Sequence, residues 1–384
     1  MVIFIEIEGS HFDLGFKQAS QFKHQVKIWI KKFFYSDFIK NAKPSVVPTS
    51  LVKSALGLWG KFSMEQSIKQ YLPNQYEKLR GLADGAKVSK NLVLGINFIE
   101  ILAGHSMNFK NLPKQACTQL FAKGQATAKN EILFARNYDF PKILREFEGL
   151  RLEKPENGYK NLNSNQFGQV GTHIGLNEKG LVIGLNYGQC WKKDPLDYRT
   201  KGVPSSMIIQ EVLETCKNTQ EAIDFIINFP ERSNGAFYGI ADKNGDICVL
   251  ETTATRYSIR KMDSNENILV HTNLYMTEQL KDANLPDDVL WKFKGLEIPH
   301  NKSPRERYER AMKLMNLYKG KIDEDILKII LSDHRNGEPN DFTICTHGEV
   351  GVTLASFIIN LSRMEFQMTD QFPCEKKYEL FKIK

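Results

Sequence analysis

The sequence predicts an α+β protein in which two sheets are flanked by helices. Three observations predict it. Residues 1–116 read as mainly helical after one short strand, and the texture changes to strands at Cys117. From there, strand hairpins alternate with pairs of helices: hairpins, a helix pair, strands, a second helix pair and strands again. This order suits layers but does not by itself fix their topology.

The elements follow in order. A short apolar strand opens the chain, and residues 12–34 have the apolar spacing of a helix. Proline and small residues punctuate 43–48. Residues 73–84 form a further helix, with Pro73 suited to its first turn and Gly85 to its end, and 91–103 a more apolar one. Residues 117–123 and 131–140 make a hairpin around Thr127-Ala128-Lys129-Asn130, and 155–166 read as a polar loop. A second hairpin joins 169–177 to 181–187 across Glu178-Lys179-Gly180. Helices follow at 205–216 and 220–229, with Thr219 as a cap. Strands 237–242 and 247–252 turn over Lys243-Asn244-Gly245-Asp246, with Asn-Gly at the tip. Strands at 256–262 and 268–271 precede helices at 304–318 and 324–333, the first signalled by Ser303-Pro304. Residues 342–346, 352–360 and 365–369 close the chain as strands.

Bulk properties exclude several classes. The 384 residues are ample to bury a core, in one large domain or two smaller ones. A hydrophobic share of 41% and a charged share of 25% are those of an ordinary globular protein. Lys and Arg number 52 against 45 Asp and Glu, a net charge of +7, but they are scattered. A nucleic-acid groove needs a concentrated patch, so nucleic acid is not an expected partner. The N-terminus carries Glu6 and Glu8 and lacks a basic leader, which argues against a signal peptide. No stretch approaches the roughly 18–20 apolar residues of a membrane span, and a cytoplasmic location is expected. The six cysteines lie far apart without a Cys-Xaa-Xaa-Cys pair, so neither a zinc site nor a disulfide framework is expected. The irregular spacing of His334, Cys345 and His347 points to satisfied polar residues in or beside the core, and no metal or other cofactor is expected.

The phosphate loop, the nucleophile elbow, the zinc-protease helix and the EF-hand are missing. Catalysis must therefore use scattered residues. Cys117 alone reads as a buried thiol. The strand paired with it ends in Arg136-Asn137-Tyr138-Asp139, where alternation puts Asn137 and Asp139 on one face and Arg136 and Tyr138 on the other. Asn177 reads as a turn residue.

Cys117-Thr118, the short hairpin and Arg136-Asn137-Tyr138-Asp139-Phe140 together resemble the cysteine N-terminal-nucleophile hydrolases. These include the choloylglycine hydrolases, the acid ceramidase and N-acylethanolamine acid amidase group, and the acyl-coenzyme A:6-aminopenicillanic acid acyltransferases. The resemblance continues in order through Gly175-Leu176-Asn177-Glu178-Lys179-Gly180-Leu181, Gly184-Leu185-Asn186-Tyr187, His271-Thr272-Asn273 and Ser303-Pro304-Arg305-Glu306-Arg307. Gly9-Ser10-His11-Phe12-Asp13-Leu14-Gly15, and Asp333-His334 followed by Thr343-Ile344-Cys345-Thr346-His347, are similar to the penicillin-acyltransferase branch.

The resemblance implies a four-layer α-β-β-α sandwich made as an inactive precursor that cuts itself between Ala116 and Cys117. Residues 1–116 would be a helical leading part, released but still associated, and 117–384 the catalytic core. Lys114-Gln115-Ala116 would end the first chain, and Cys117 would begin the second with a thiol nucleophile and a free α-amine as its base. The resemblance also implies oxyanion donors at Asn273 and Asn186, an α-amine held by Asp139, and a thiolate favoured by Arg136. Arg307 either positions the neighbours of Cys117 or is structural. The expected activity is that of an amidohydrolase or acyltransferase attacking a non-peptide carbon–nitrogen amide bond of an acylated small molecule, with acyl-coenzyme A a further candidate partner. Two alternatives stand beside it: a catalytically silent protein of the same fold that binds an acylated ligand or a partner, and an unprocessed thiol hydrolase with a histidine base. Tyr138, Phe140 and Trp191 either wall a pocket for the acyl group or belong to the core.

Overall fold

The computed structural model describes residues 1–35, 39–40, 45–104, 116–191, 197, 199–293, 296–335, 337–348 and 351–383. Lys114 and Gln115, and Lys43 and Pro44 of the punctuated stretch, lie outside them.

In chain order the strands are β1 (Phe4–Gly9), β2 (Ala116–Ala122), β3 (Leu133–Phe140), β4 (Glu148–Pro155), β5 (Asn161–Gln166), β6 (Ile174–Asn177), β7 (Leu181–Gly188), β8 (Gly235–Asp242), β9 (Ile247–Thr252), β10 (Tyr257–Lys261), β11 (Ile268–His271), β12 (Leu290–Phe293), β13 (Leu296–Pro299), β14 (Val352–Asn360), β15 (Glu365–Thr369) and β16 (Glu379–Lys382). An eight-stranded sheet runs β1-β4-β5-β6-β7-β8-β9-β10, a six-stranded sheet runs β11-β2-β3-β14-β15-β16, and β12 and β13 form a separate ribbon. Helices Ser205–Thr215 and Thr219–Ile227 cover the first sheet; helices Lys302–Leu317 and Glu324–Leu331 cover the second. The two sheets face each other, so the order of layers is α-β-β-α.

Two cores result. Between the sheets, Phe121 and Phe134 stack with centroids 4.4 Å apart among Leu176, Val182 and Phe237. Gly184 of β7 permits the close approach, because a Cβ there would lie 2.7 Å from the Phe134 ring. Under the second helix pair, Leu120, Ala135 and Ile358 meet Leu314, Leu327 and Ile330. β2, β3 and β14 of the second sheet therefore bury both faces.

The leading part is built into this body. β1 pairs in parallel with β4 at the edge of the larger sheet. Ser10 caps helix His11–Gln21 in a reciprocal box with Asp13. That helix packs on helix Pro73–Ala86 so closely that a Cβ on Gly15 would lie 1.9 Å from Lys78 O. Gly85 was expected to end the second helix. It lies inside it instead, opposite Phe16 O, and Lys87 takes the left-handed cap. The helix expected over 12–34 breaks at Phe22 into His11–Gln21 and Lys23–Phe34.

A buried polar seam joins this part to the rest. Lys78 pairs with Glu153, both fully buried; Gln75 Nε2 donates to Glu211 at 3.0 Å and Glu214 at 2.9 Å, and His11 Nε2 meets Glu214 at 2.9 Å. Removing one member of such a pair costs about 3–5 kcal/mol, because a buried charge is left unpaired.

Three further expectations are corrected. Residues 155–166 are not all loop, since Asn161–Gln166 is the fully buried strand β5. Its polar side chains are satisfied internally: Asn163 Oδ1 accepts from Arg151 Nε at 2.8 Å, and Ser164 Oγ donates to Glu148 at 2.6 Å. Residues 342–346 form turns rather than a strand, with an isolated bridge from His347 to Val352. Asn218, not Thr219, caps its helix by accepting from Glu221 N at 2.9 Å.

Candidate active site

Cys117 is fully buried as the second residue of β2. Register with β3 sets Ala116 opposite Asp139, Cys117 opposite Tyr138 and Gln119 opposite Arg136. The strands thus bring three of the sequence-identified residues together without any loop.

Arg136 reaches toward the facing sheet. Its Nη2 donates to Cys117 Sγ at 3.2 Å and to Leu185 O, and its Nε lies 3.5 Å from Asn186 Oδ1. Its Nη1 is buried and has no hydrogen-bond partner. Burial pushes the Cys117 thiol above its ordinary pKa; Arg136 and Arg307 oppose this and Asp139 adds to it. Burial thus favours the neutral thiol, and the Arg136 guanidinium beside the sulfur works against that preference.

The backbone of Cys117 is gripped at both ends. Its N–H donates to Asn273 Oδ1 at 2.8 Å. Its carbonyl accepts from Arg307 Nη1 at 2.5 Å. Arg307 also donates to Thr118 Oγ1 and to Asn273 Oδ1, each at 2.9 Å, and through Nε to Ser303 Oγ at 3.2 Å. Burial lowers the pKa of Arg307, while Asp139 and Cys117 draw it back up. Asn186 Nδ2 donates to Thr272 O at 3.0 Å and His271 O at 3.3 Å, and Asn273 Nδ2 donates to Tyr187 O at 2.9 Å. Both amide nitrogens expected to meet an oxyanion are thus already on backbone carbonyls.

Asp139 projects to the opposite face of β3 from Arg136, as strand alternation requires. Its Oδ1 accepts from Thr353 Oγ1 at 2.7 Å and its Oδ2 from Thr346 Oγ1 at 3.4 Å. The Cys117 N–H goes to Asn273 Oδ1, while the resemblance implied Asp139, opposite Ala116 in register, as the partner of a free α-amine. Asn177 is a turn residue in this geometry: its Oδ1 accepts from Lys179 N at 3.1 Å and Leu181 N at 3.0 Å.

Residues 126–371, well over half of the chain, match the family described as acyl-coenzyme A:6-aminopenicillanic acid acyl-transferase. The chain belongs to this acyl-transferase family. No individual curated protein matches it in sequence. Solved structures resemble it at low identity. A Caenorhabditis elegans ortholog of N-acylethanolamine-hydrolyzing acid amidase is 16% identical with a TM-score of 0.44, covering 64% of this chain and 93% of its own. A variant of the conjugated bile acid hydrolase from Clostridium perfringens is 16% identical with a TM-score of 0.41, covering 70% and 97%. Penicillin V acylase from Agrobacterium tumefaciens is 15% identical with a TM-score of 0.42, covering 69% and 84%.

Two buried polar residues that the sequence did not flag, His173 and Glu100, stand beside the Cys117 strand. His173 stacks on Tyr138 with centroids 4.5 Å apart and meets Tyr187 edge-on at 6.3 Å. Neither of its ring nitrogens has a hydrogen-bond partner, and burial holds its pKa well below the ordinary value. Glu100, from helix Lys90–Gly104, bonds Ser206, and burial raises its carboxyl to about 7. With Tyr187, Tyr138 and Phe140 these residues line a small cavity that Trp29 and Phe33 of the leading part close. No linear motif connects these positions, so only a fold could have assembled them. Trp191 lies elsewhere, in an outer cleft of about 730 Å³ that includes Thr272, Tyr275 and Arg305.

Among the described residues, no histidine ring nitrogen bonds Cys117 Sγ, whose hydrogen-bond partner is Arg136. A cysteine–histidine thiol hydrolase needs that contact. His334, Cys345 and His347 bring their ligand atoms together with Cys374 Sγ within 4.8 Å of one another. No helix among the described residues is long and apolar enough to cross a membrane.

Proposed function

We propose that this chain is a self-processing cysteine N-terminal-nucleophile enzyme, an amidohydrolase or acyltransferase acting on a carbon–nitrogen amide bond of an acylated small molecule. One observation carries the reading: Cys117 has its thiol on Arg136 at 3.2 Å and its nitrogen on Asn273 at 2.8 Å, so one residue presents both groups that such chemistry needs. Family membership supports an acyl group as the transferred unit.

Processing begins with attack of Cys117 Sγ on the Ala116 carbonyl. The C–N bond breaks, the Cys117 nitrogen takes a proton, and an Ala116 thioester forms. Water then cleaves the thioester, giving an Ala116 carboxylate and a Cys117 bearing a free thiol and a free amine. The amine has an ordinary pKa of about 7.7–8.0 and accepts the thiol proton near neutrality. Asn273 Oδ1, itself held by Arg307, keeps that nitrogen in place. Asp139 lies opposite the bond to be cut, in a shelf made by Thr346 and Thr353, and its negative charge favours protonation of the amine.

Attack on the substrate carbonyl then builds charge that needs fixed donors. The buried, unpartnered Nη1 of Arg136 is suited to that task, alongside the backbone around Asn186 and Asn273. Residues 1–116 stay associated after the cut through β1 and the Lys78–Glu153 seam. Water as acceptor gives hydrolysis; an amine gives acyl transfer.

Intact-mass measurement tests the reading. Wild-type protein should resolve into two fragments split between Ala116 and Cys117, and Cys117→Ala should stay whole and inert. Wild-type protein that remains one chain yet turns over acyl amides would overturn the mechanism. One that remains whole and inert would favour a ligand-binding protein of this fold.

A further inference from the structure

A second group of reactive side chains lies on the far side of the Asp139 shelf and has no task in the reaction above. His334 follows helix Glu324–Leu331, Cys345 and His347 precede β14, and Cys374 follows β15. In sequence they are separated by intervals that match no familiar metal motif. In space one ligand atom from each lies within 4.8 Å of every other.

The spacings are those of a metal polyhedron. Zinc bonds of about 2.3 Å to sulfur and about 2.0 Å to nitrogen give tetrahedral edges of about 3.8 Å between sulfurs and about 3.5 Å between sulfur and nitrogen. Cys345 Sγ and Cys374 Sγ are 3.6 Å apart, and each lies 3.3 Å from His347 Nε2. Three corners are therefore set. The His334 ring stands edge-on to the His347 ring, with centroids 5.1 Å apart and planes at 88°. Its Nε2 is buried without any hydrogen-bond partner, which is costly for an imidazole unless a ligand takes it up. The sulfurs are also too far apart for a disulfide, whose bond is about 2.05 Å.

We propose that His334, Cys345, His347 and Cys374 form a Cys2His2 site for one zinc ion. Two thiols lose their protons to solvent as the ion binds, and two neutral imidazoles complete the shell, so the charges of the ligands and the ion cancel. Phe372 stacks face to face on His347 at 3.5 Å, with the Arg145 guanidinium 3.8 Å beyond, and fixes the orientation of that ring. A closed set of four protein ligands marks a structural site rather than a catalytic one. Its effect reaches the reaction centre through Thr346, which sits between the ligands Cys345 and His347. Thr346 N donates to Thr353 Oγ1 at 2.9 Å, and both threonine hydroxyls hold Asp139. The ion would thus pin three chain segments and the shelf under Asp139. The site does not depend on whether the chain cuts itself.

Metal uptake tests this directly. Full-length protein purified from zinc-supplemented medium should carry about one equivalent of zinc per chain by mass spectrometry. Replacement by cobalt(II) should give a tetrahedral visible spectrum and a sulfur-to-cobalt charge-transfer band. Cys374→Ser, at an exposed position, should lose most of the bound zinc and the charge-transfer intensity while keeping its circular dichroism. Cys374→Asp should retain metal with a weaker sulfur band, and Cys117→Ser should match wild type. Wild-type protein without stoichiometric zinc and without the sulfur band would overturn the proposal. So would Cys374→Ser and Cys345→Ser binding cobalt as wild type does, or a Cys345–Cys374 disulfide in freshly purified protein.

Discussion

Cys117 and the pair Cys345 and Cys374 show how one side chain is prepared for different work. Cys117 sits alone in a dry interior with a guanidinium on its sulfur. Cys345 is buried and Cys374 exposed, with the two sulfurs 3.6 Å from each other and each 3.3 Å from an imidazole. A nucleophile needs a cation that steadies its charge and leaves the lone pair free. Ligands need lone pairs that converge on a point. Hydrogen bonds through Thr346, Thr353 and Asp139 join the two places.

The sharpest break between them is Cys117→Ala. It should stop processing and lower turnover by at least about four orders of magnitude, measured by intact mass and product release, while zinc content stays at the wild-type level. Cys374→Ser should do the reverse, losing metal while processing continues. Next, Arg136→Ala should slow turnover by about 100- to 1000-fold, because it removes both the thiolate partner and the unpartnered donor. Arg136→Lys should recover part of the rate and shift the pH–rate profile. Asn273→Ala should slow processing by about 10- to 100-fold in a time course of fragment formation, since it frees the Cys117 nitrogen and leaves Arg307 short of an acceptor. Chelation of zinc should lower the melting temperature by several degrees and leave the Arg136 effect unchanged.

The smallest effect concerns pH. Burial raises the Glu100 carboxyl from 4.5 to about 7. A raised carboxyl binds its proton more tightly in the folded chain, so stability falls as pH rises from 4.5 to about 7, by up to about 3 kcal/mol, and is flat above. Glu100→Gln should remove that share of the slope in denaturant titrations across the interval, leaving the shares of Glu148 and Glu211, whose carboxyls burial also raises to about 7.

The thiol comparison also explains what the sequence could reveal. The Cys117 surroundings were legible because their pieces lie at strand ends and turns with recognisable local patterns: Arg136 to Asp139 on β3, Asn186 on β7, Asn273 after β11 and Arg307 at a helix start. Such pieces in order, following Cys117, point to one site. The metal ligands carry no local pattern, since Cys374 is brought in by β15 folding back on β14. Among elements, the failures have the same cause. β5 has polar residues on both faces, so no alternation marks it, and Gly85 looked like a helix stop because its packing partner on another helix was invisible. His173 and Glu100 were illegible because their distinction is burial without full pairing, a property of three dimensions.

The seam through Lys78, Glu153, Gln75 and Glu214 has a consequence for refolding. An uncut chain brings its two sides together as one molecule, at a rate independent of dilution. A chain divided at Ala116 would have to rebuild the same seam by encounter between two molecules. Activity regained after denaturation should then rise with protein concentration, whereas Cys117→Ala should regain its native spectrum equally well at any dilution.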